Sequence, residues 1–219
     1  ATWSPMVLLE HAGELWSAAN PATAVDRSNG RLWVFYLRSR PGCSTDTSRP
    51  GTDDMQTIAR WSDTSGQTWS EPLNLTAVGR DMSDKSWRAS VPGPGGAIQT
   101  SKGRLIVPMW KMPPANFAIY SDDHGLTWQR SQVVPQKGGG DENQIVELSD
   151  GRTITAPLAW FPRLQHGTAK ERNHWRFIGR GEGIHWPDLD EDISVEGLVL
   201  GKPSGESQRR LRAGLENAA

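Results

Sequence analysis

Ser62-Asp63-Thr64-Ser65-Gly66-Gln67-Thr68-Trp69 and Ser121-Asp122-Asp123-His124-Gly125-Leu126-Thr127-Trp128 both read S-D-x-x-G-x-T-W. Gly179-Arg180-Gly181-Glu182-Gly183-Ile184-His185-Trp186 keeps the glycine and the tryptophan and reads as a decayed third copy. Ala1-Thr2-Trp3-Ser4-Pro5 reads as the tail of a fourth, because Thr68-Trp69-Ser70 is also followed closely by Pro72. The tryptophans at 3, 69, 128 and 186 are separated by 66, 59 and 58 residues. A near-constant period of this size marks a repeat architecture. The chain is expected to begin inside a repeat.

The residue types suit a tight turn. Serine and aspartate side chains accept hydrogen bonds from backbone N–H groups a few residues on. Glycine supplies a positive φ. Threonine starts the returning strand, and tryptophan buries a large ring beneath the turn. Asp63, Asp122 and Asp123 are thus turn residues before they are catalytic acids. The 12-residue ligand spacing of a calcium loop is absent, and no metal site or cofactor is expected.

Composition narrows the class. With 219 residues the chain can bury a core. A net charge of −1 and a pI near 6.6 point to no nucleic acid or other polyanion partner. The one cluster of basic residues, Arg209, Arg210 and Arg212, falls in a polar end segment. No run approaches the roughly 18 apolar residues of a membrane span, and no charged-then-apolar leader opens the chain. Cys43 is the single cysteine, which removes an intrachain disulfide and reads as a loop thiol.

Short apolar runs bounded by turn residues recur. Arg31 to Tyr36, Arg104 to Trp110 and Arg152 to Thr155 are each led by Gly-Arg, and each precedes a tryptophan turn. Met6 to Leu9, Gln56 to Trp61, Phe117 to Tyr120, Gln144 to Leu148 and Trp175 to Ile178 are further strand candidates. Up to about residue 200 no long stretch carries a 3.6-residue apolar period. The expectation is an all-β fold with four short strands per repeat, as in a propeller blade. Ser39 to Asp54 and Leu158 to Asn173 are long excursions of the kind that carry function or lie disordered. The expected division is a repeat region over 1–187 and a polar tail over 188–219.

Three further stretches resemble the exo-α-sialidase (neuraminidase) family, whose Asp-box (BNR) repeats are the tryptophan turns described above. Asn20-Pro21-Ala22-Thr23-Ala24-Val25-Asp26 resembles that family's N-P-x-x-V-x-D segment, with one extra residue before the valine. Gly93-Pro94-Gly95-Gly96-Ala97-Ile98-Gln99, followed by Gly103-Arg104-Leu105, resembles G-P-G-x-G-I-x-L-x-x-G-R-L and departs at Ala97 and Thr100. Asp141-Glu142-Asn143-Gln144-Ile145-Val146-Glu147 resembles the segment bearing the family's catalytic glutamate. The resemblance covers about Ala1 to Trp186. It implies a six-bladed β-propeller, of which about three to four blades lie in this chain, with the active site at the mouth of the central channel. It also makes secretion or a periplasmic location the family's expectation.

The resemblance implies a retaining glycosidase that removes terminal sialic acids from glycoconjugates, so the implied partner is a sialylated glycan. A tyrosine nucleophile avoids the repulsion that a carboxylate would meet from the substrate's own carboxylate, and a glutamate beside it takes the proton. An arginine triad clamps the substrate carboxylate with planar guanidinium forks. Glu142 matches the catalytic glutamate, with a solvated loop carboxylate as the plainer reading. Glu147 matches the second, structural glutamate. Asn20 and Trp110 match positions lining the sugar site, with core packing the competing role for Trp110. The slot for the second triad arginine falls at Leu158 or a close neighbour, where no arginine stands, and Arg163 is the nearest candidate, with an exposed loop arginine as its alternative. Neither Tyr36 nor Tyr120 suits the nucleophile. The expectation is therefore a middle section of such an enzyme, inactive alone. The alternative is a non-catalytic Asp-box propeller module that binds glycans or proteins.

Overall fold

The computed structural model describes residues 6–11, 16–94, 96–134, 142–148, 151, 153–179 and 182–204. It separates into two compact units, Ala1–Thr155 and Ala156–Ala219.

In the first unit, β1 (Ser17–Asp26), β2 (Arg31–Ser39), β3 (Met55–Ser62) and β4 (Leu73–Asn74) form an antiparallel sheet in chain order. A one-turn helix, α1 (Thr76–Gly79), follows. β5 (Ala89–Pro92), β6 (Ile98–Gln99), β7 (Leu105–Met112), β8 (Ala115–Ser121) and β9 (Gln129–Arg130) form the second sheet. Its order is β5-β7-β8-β9, with β6 also paired to β7. β10 (Asn143–Glu147) and β11 (Thr153–Pro157) pair as the start of a third.

Strand alternation sorts the side chains. Trp33 and Phe35 of β2, Leu105, Val107 and Met109 of β7, and Phe117 and Ile119 of β8 meet in one buried cluster between the first two sheets. Val34, Tyr36 and Ile58 face the other way, where Leu9 and Trp69 cover them. Successive side chains on a strand point to opposite faces, so one strand serves two interfaces.

The repeated turns explain their own pattern. Ser62 Oγ accepts from the N–H of Gly66 at 2.9 Å, and Ser121 Oγ from that of Gly125 at 2.8 Å. Gly66 and Gly125 sit at φ +85° and +87°. Trp69 and Trp128 donate their indole N–H to the carbonyls of Gly66 and Gly125 at 3.0 and 3.1 Å. The third residue of each copy, Thr64 or Asp123, accepts from the backbone N–H of the seventh, Thr68 or Thr127, at 2.8 Å. The aspartate in second place does something else. Asp63 receives Arg31 in a bidentate pair at 2.7 and 2.9 Å, and Asp122 receives Arg104 at 2.6 and 2.8 Å. That is why a Gly-Arg strand start precedes each copy: the arginine ties its strand to the turn of the same sheet.

The excursion from Ser39 to Asp54 is fastened rather than loose. The buried Arg80 donates to the carbonyls of Thr52, Met55 and Arg88. Arg49 pairs with the buried Asp54 at 2.8 Å, and Arg88 reaches the carbonyl of Asp46 at 2.8 Å. Met6 to Leu9, expected as a strand, forms none.

The second unit corrects two expectations. The excursion from Leu158 contains a 3-10 turn, Leu158–Trp160, and two short helices, α2 (Pro162–His166) and α3 (Ala169–Asn173). Thr168 and Glu171 close a capping box on α3. β12 (Arg176–Ile178), β13 (Gly183–Trp186) and β14 (Glu191–Ser194) then form an antiparallel meander, followed by α4 (Val195–Val199). Trp186 lies on the central strand, paired with Glu191, and donates its N–H to the carbonyl of Arg172 at 2.9 Å. It therefore does not stand where Trp69 and Trp128 stand, since no serine is present to cap a turn before it. Ordered structure reaches Ser204, past the expected start of a polar tail at 188. The proposed fourth copy at 1–5 and the end segment 205–219 lie outside the described residues.

Candidate functional site

Strand register gives the first unit two ends. Ser62 and Ser121, which open the tryptophan turns, lie opposite Leu32 and Leu105. At the other end of the same strands, Ser39 lies opposite Met55, Met112 opposite Ala89, and Ser17 opposite Ser39. Asn20, Trp110 and Glu142 all belong to this second end.

Asn20 sits where β1 is irregular. Its pairing with β2 slips between Ala19 and Ala22, and Asn20 takes φ +52°. Asparagine tolerates this left-handed conformation better than most residues, and a bulge re-aims the side chains next to it. Trp110 of β7 is half-buried and packs against the cluster of Leu37, Met55, Ala89 and Val91. Its indole N–H is buried without a hydrogen-bond partner. The core-packing role for Trp110 therefore holds, and it leaves a donor unsatisfied at this end.

Glu142 immediately precedes β10 and is exposed. Its neighbour Asn143 is 2% exposed and donates from Nδ2 to the carbonyl of Met109 at 3.0 Å. That bond fixes the start of β10 beside the residue preceding Trp110. The approach depends on Gly93, whose N–H donates to the carbonyl of Pro108 at 2.8 Å. A Cβ there would stand 2.4 Å from the carbonyl oxygen of Asn143 and 2.7 Å from its Oδ1. Gly93 and Asn143 are thus positioning residues that the sequence reading left without a role. Their signals were the first glycine of the G-P-G stretch and the asparagine after Glu142. Glu147, at the far end of β10, accepts from Ser101 N–H and Oγ at 2.7 and 2.8 Å, as a structural glutamate would. Asp141, Arg152 and the glycines 138–140 lie outside the described residues.

Arg163 is in the second unit, on α2. Its guanidinium donates to the carbonyls of Leu189 and Asp190 and to the Asp190 carboxylate at 3.1, 2.9 and 3.1 Å. Tyr36 is buried, donates to Glu10 and accepts from Arg60 at 3.2 Å. Burial and the Glu10 carboxylate push its hydroxyl up to about 12. Tyr120 donates to Gln129 at 3.0 Å and lies under the Arg104 guanidinium at 4.4 Å. No group of three or more metal-ligating side chains occurs among the described residues, and no helix among them is long and apolar enough to cross a membrane.

Asp26 closes the motif that begins at Asn20, and its place is at the turn end. Its buried carboxylate accepts from Ser28 N–H and Oγ, Gln99 Nε2 and His124 Nδ1 at 3.0, 2.5, 2.7 and 2.8 Å. It joins the β1–β2 hairpin to the second sheet and to that sheet's own tryptophan turn. Burial alone would raise this carboxyl, but the hydrogen bonds outweigh it and hold it at about 2.

The sequence pattern of the BNR repeat-like domain family matches residues 1–160. A second family, described as a protein of unknown function (DUF2442), matches residues 140–204. A sialidase of Micromonospora viridifaciens is 35% identical over 150 residues, which is 62% of this chain and 22% of that protein. Sialidase-3 of Mus musculus is 28% identical over 166 residues, 67% of this chain and 38% of that protein. The solved structure of the Hadza microbial sialidase Hz136 superposes with a TM-score of 0.62 at 27% identity, over 71% of this chain and 33% of its own. The chain thus spans between about a fifth and two fifths of the length of these relatives.

Proposed function

The chain belongs to the BNR repeat-like domain family and shares sequence and sheet architecture with sialidases, and from that premise we propose that it carries part of a sialidase-type glycoside hydrolase site. The observation that carries this reading is the gathering of Glu142, Asn20 and Trp110 at the strand end away from the tryptophan turns. Glu142 is the proton acceptor of that site. Asn143 and Gly93 hold it in place, while Asn20 faces the sugar and the half-buried ring of Trp110 packs behind it on Leu37, Met55, Ala89 and Val91.

Within these 219 residues the set is incomplete. A nucleophilic tyrosine needs its proton taken readily, and Tyr36 is pushed the opposite way. Arg163 already serves the turn between β13 and β14, so a fold-holding role is the one its bonds support. These two facts favour, for the chain alone, the second reading of a glycan-binding module over a working hydrolase.

The test is a fluorogenic α-sialoside assay paired with a sialyllactose titration followed at the Trp110 indole N–H by NMR. Little or no turnover is expected, roughly 10⁴-fold or more below an intact catalytic set. Weak saturable shifts at Trp110 are expected, lost in N20A. Clear turnover that disappears in E142Q would restore the hydrolase reading for this chain. Shifts confined to the tryptophan-turn end, or none, would refute the site.

A further inference from the structure

Two family patterns meet on the hairpin of β10 and β11. The BNR repeat-like pattern matches residues 1–160 and the DUF2442 pattern residues 140–204, so each takes in Asn143–Glu147 and Thr153–Pro157. The boundary between the two compact units falls inside β11, between Thr155 and Ala156. Domain boundaries normally fall in exposed linkers that few contacts cross; this one falls in a paired strand. Among the described residues the hairpin is a two-stranded sheet of its own, joined by no ladder to the second sheet. A two-stranded hairpin alone is at best marginally stable in water, so this one depends on what its strands are fastened to.

The two strands are fastened differently. β10 is tied to the first unit by side chains. Asn143 donates to the Met109 carbonyl at 3.0 Å, and Glu147 accepts from Ser101 at 2.7 and 2.8 Å, with the buried Ile145 between them. β11 runs into the second unit. It ends at Pro157, and the 3-10 turn begins at Leu158 with no linker residue between. Ala156 and Leu158 pack against the cluster of Phe161, Leu164 and Ile193. The carbonyl of Leu158 accepts from Phe161 N–H and that of Trp160 from Ser204 N–H, both at 2.9 Å. The residues that follow β11 are thus fixed inside the second unit.

We infer that the β10–β11 hairpin is shared by the two folds and couples them. β11 forms as part of the second unit and β10 pairs on it, so loss of the second unit's core releases the hairpin while the first two sheets stay folded. This is local unfolding of one cooperative segment within a larger structure. The group under control is Glu142, because its place depends on Asn143 at the start of β10. Opening of the second unit therefore frees the residue assigned above as proton acceptor. That consequence alone rests on the sugar-site reading.

The experiment uses the full 219-residue chain, with hydrogen exchange resolved by peptide in I193A. Ile193 is buried in the second unit's core, and its truncation should speed exchange in β13 and β14 at least about tenfold. Peptides covering 143–157 should follow them, while β7 and β8 keep wild-type protection. The side-chain amide resonance of Asn143, which reports its bond to Met109, should shift with the hairpin. Unchanged protection over 143–157 while β13 and β14 are lost would overturn the inference, since the hairpin would then belong to the repeat region alone. If I193A does not fold, I193V takes its place. Loss that spreads to β7 and β8 in that variant would also overturn it, because the chain would then be one cooperative unit. No sialoside enters the readout, so failure here is distinguishable from failure of the sugar site.

Discussion

The turns at Ser62–Trp69 and Ser121–Trp128 and the segment 179–186 share a glycine and a tryptophan, yet they fold differently. In the first two, a serine hydroxyl caps the glycine N–H, and the glycine adopts a positive φ. In the third, no serine or aspartate precedes the glycine, and Gly183 and Trp186 become the ends of an ordinary strand. The tryptophan supplies burial in all three. The serine cap, and the aspartate that receives the arginine of the neighbouring strand, decide whether that burial happens beneath a turn or along a sheet. Large apolar residues choose to be inside, but polar ones choose the backbone path that takes them there.

The largest effect should separate the two true turns from each other. A Cβ on Gly125 would stand 2.2 Å from the Trp33 ring, whereas one on Gly66 would meet nothing nearer than 3.8 Å. Both glycines have positive φ, which costs an alanine roughly 1–2 kcal/mol. G125A adds an overlap with a ring locked in the core, typically worth about 1–3 kcal/mol. Chemical denaturation should therefore show G125A clearly less stable than G66A. Equal losses would mean that Trp33 yields easily and that the inter-sheet packing is looser than described.

Next come the tryptophans. W128A removes a half-buried ring packed on Trp33 and Phe35 and should cost the first unit about 3 kcal/mol, the low end for truncating a tryptophan. W186A should leave the first two sheets alone and loosen β12 to β14. Hydrogen exchange resolved by peptide would check this, and protection lost in both units from either variant would deny the separation.

Acid unfolding should sharpen the comparison further. The Asp26 carboxyl lies at about 2 in the folded chain, below its ordinary range near 4. A depressed folded value means its contribution is complete above about pH 4 and is lost as pH falls toward 2. D26N should flatten that limb for the first unit and not for the second. The limb must be read against Asp54 and Asp123, whose hydrogen bonds also hold them low. Smallest of all should be R104A. Its pair with Asp122 is half-exposed on both sides, and exposed pairs contribute little. A loss larger than that of G66A would show that the arginine tie, rather than the serine cap, holds the turn.

Local chemistry made much of this fold legible in advance. Turns with serine, glycine and tryptophan at fixed offsets are specified within eight residues, so Gln56 to Trp61, Phe117 to Tyr120 and Gln144 to Leu148 were recognisable as strands. The Gly-Arg starts were visible as a pattern, although their reason, the pairing with Asp63 and Asp122, spans 32 and 18 residues. Glu142 was singled out by its neighbours in sequence, and its role remains the proposal made above. The residues that hold it were not, because Gly93 acts through an absence of atoms and Asn143 through a bond to Met109 across 34 residues.

The turn, the strand alternation and the family each rest on residues close together in the chain, and so they follow from local sequence. Folding across long chain separations decided that Trp186 joins a different core, that the Ser39 to Asp54 segment is fastened by a buried Arg80, and that Arg163 is spent on a local turn. It also decided that Asp26, the last letter of the motif beginning at Asn20, works at the opposite end of its strand from Asn20, beside the tryptophan turn of the second sheet. The physical reason is the same in each case. Which partner satisfies a buried charge or covers an apolar face depends on what folding brings within about 3–4 Å, the reach of a hydrogen bond or packed contact, and separation along the chain does not record that distance.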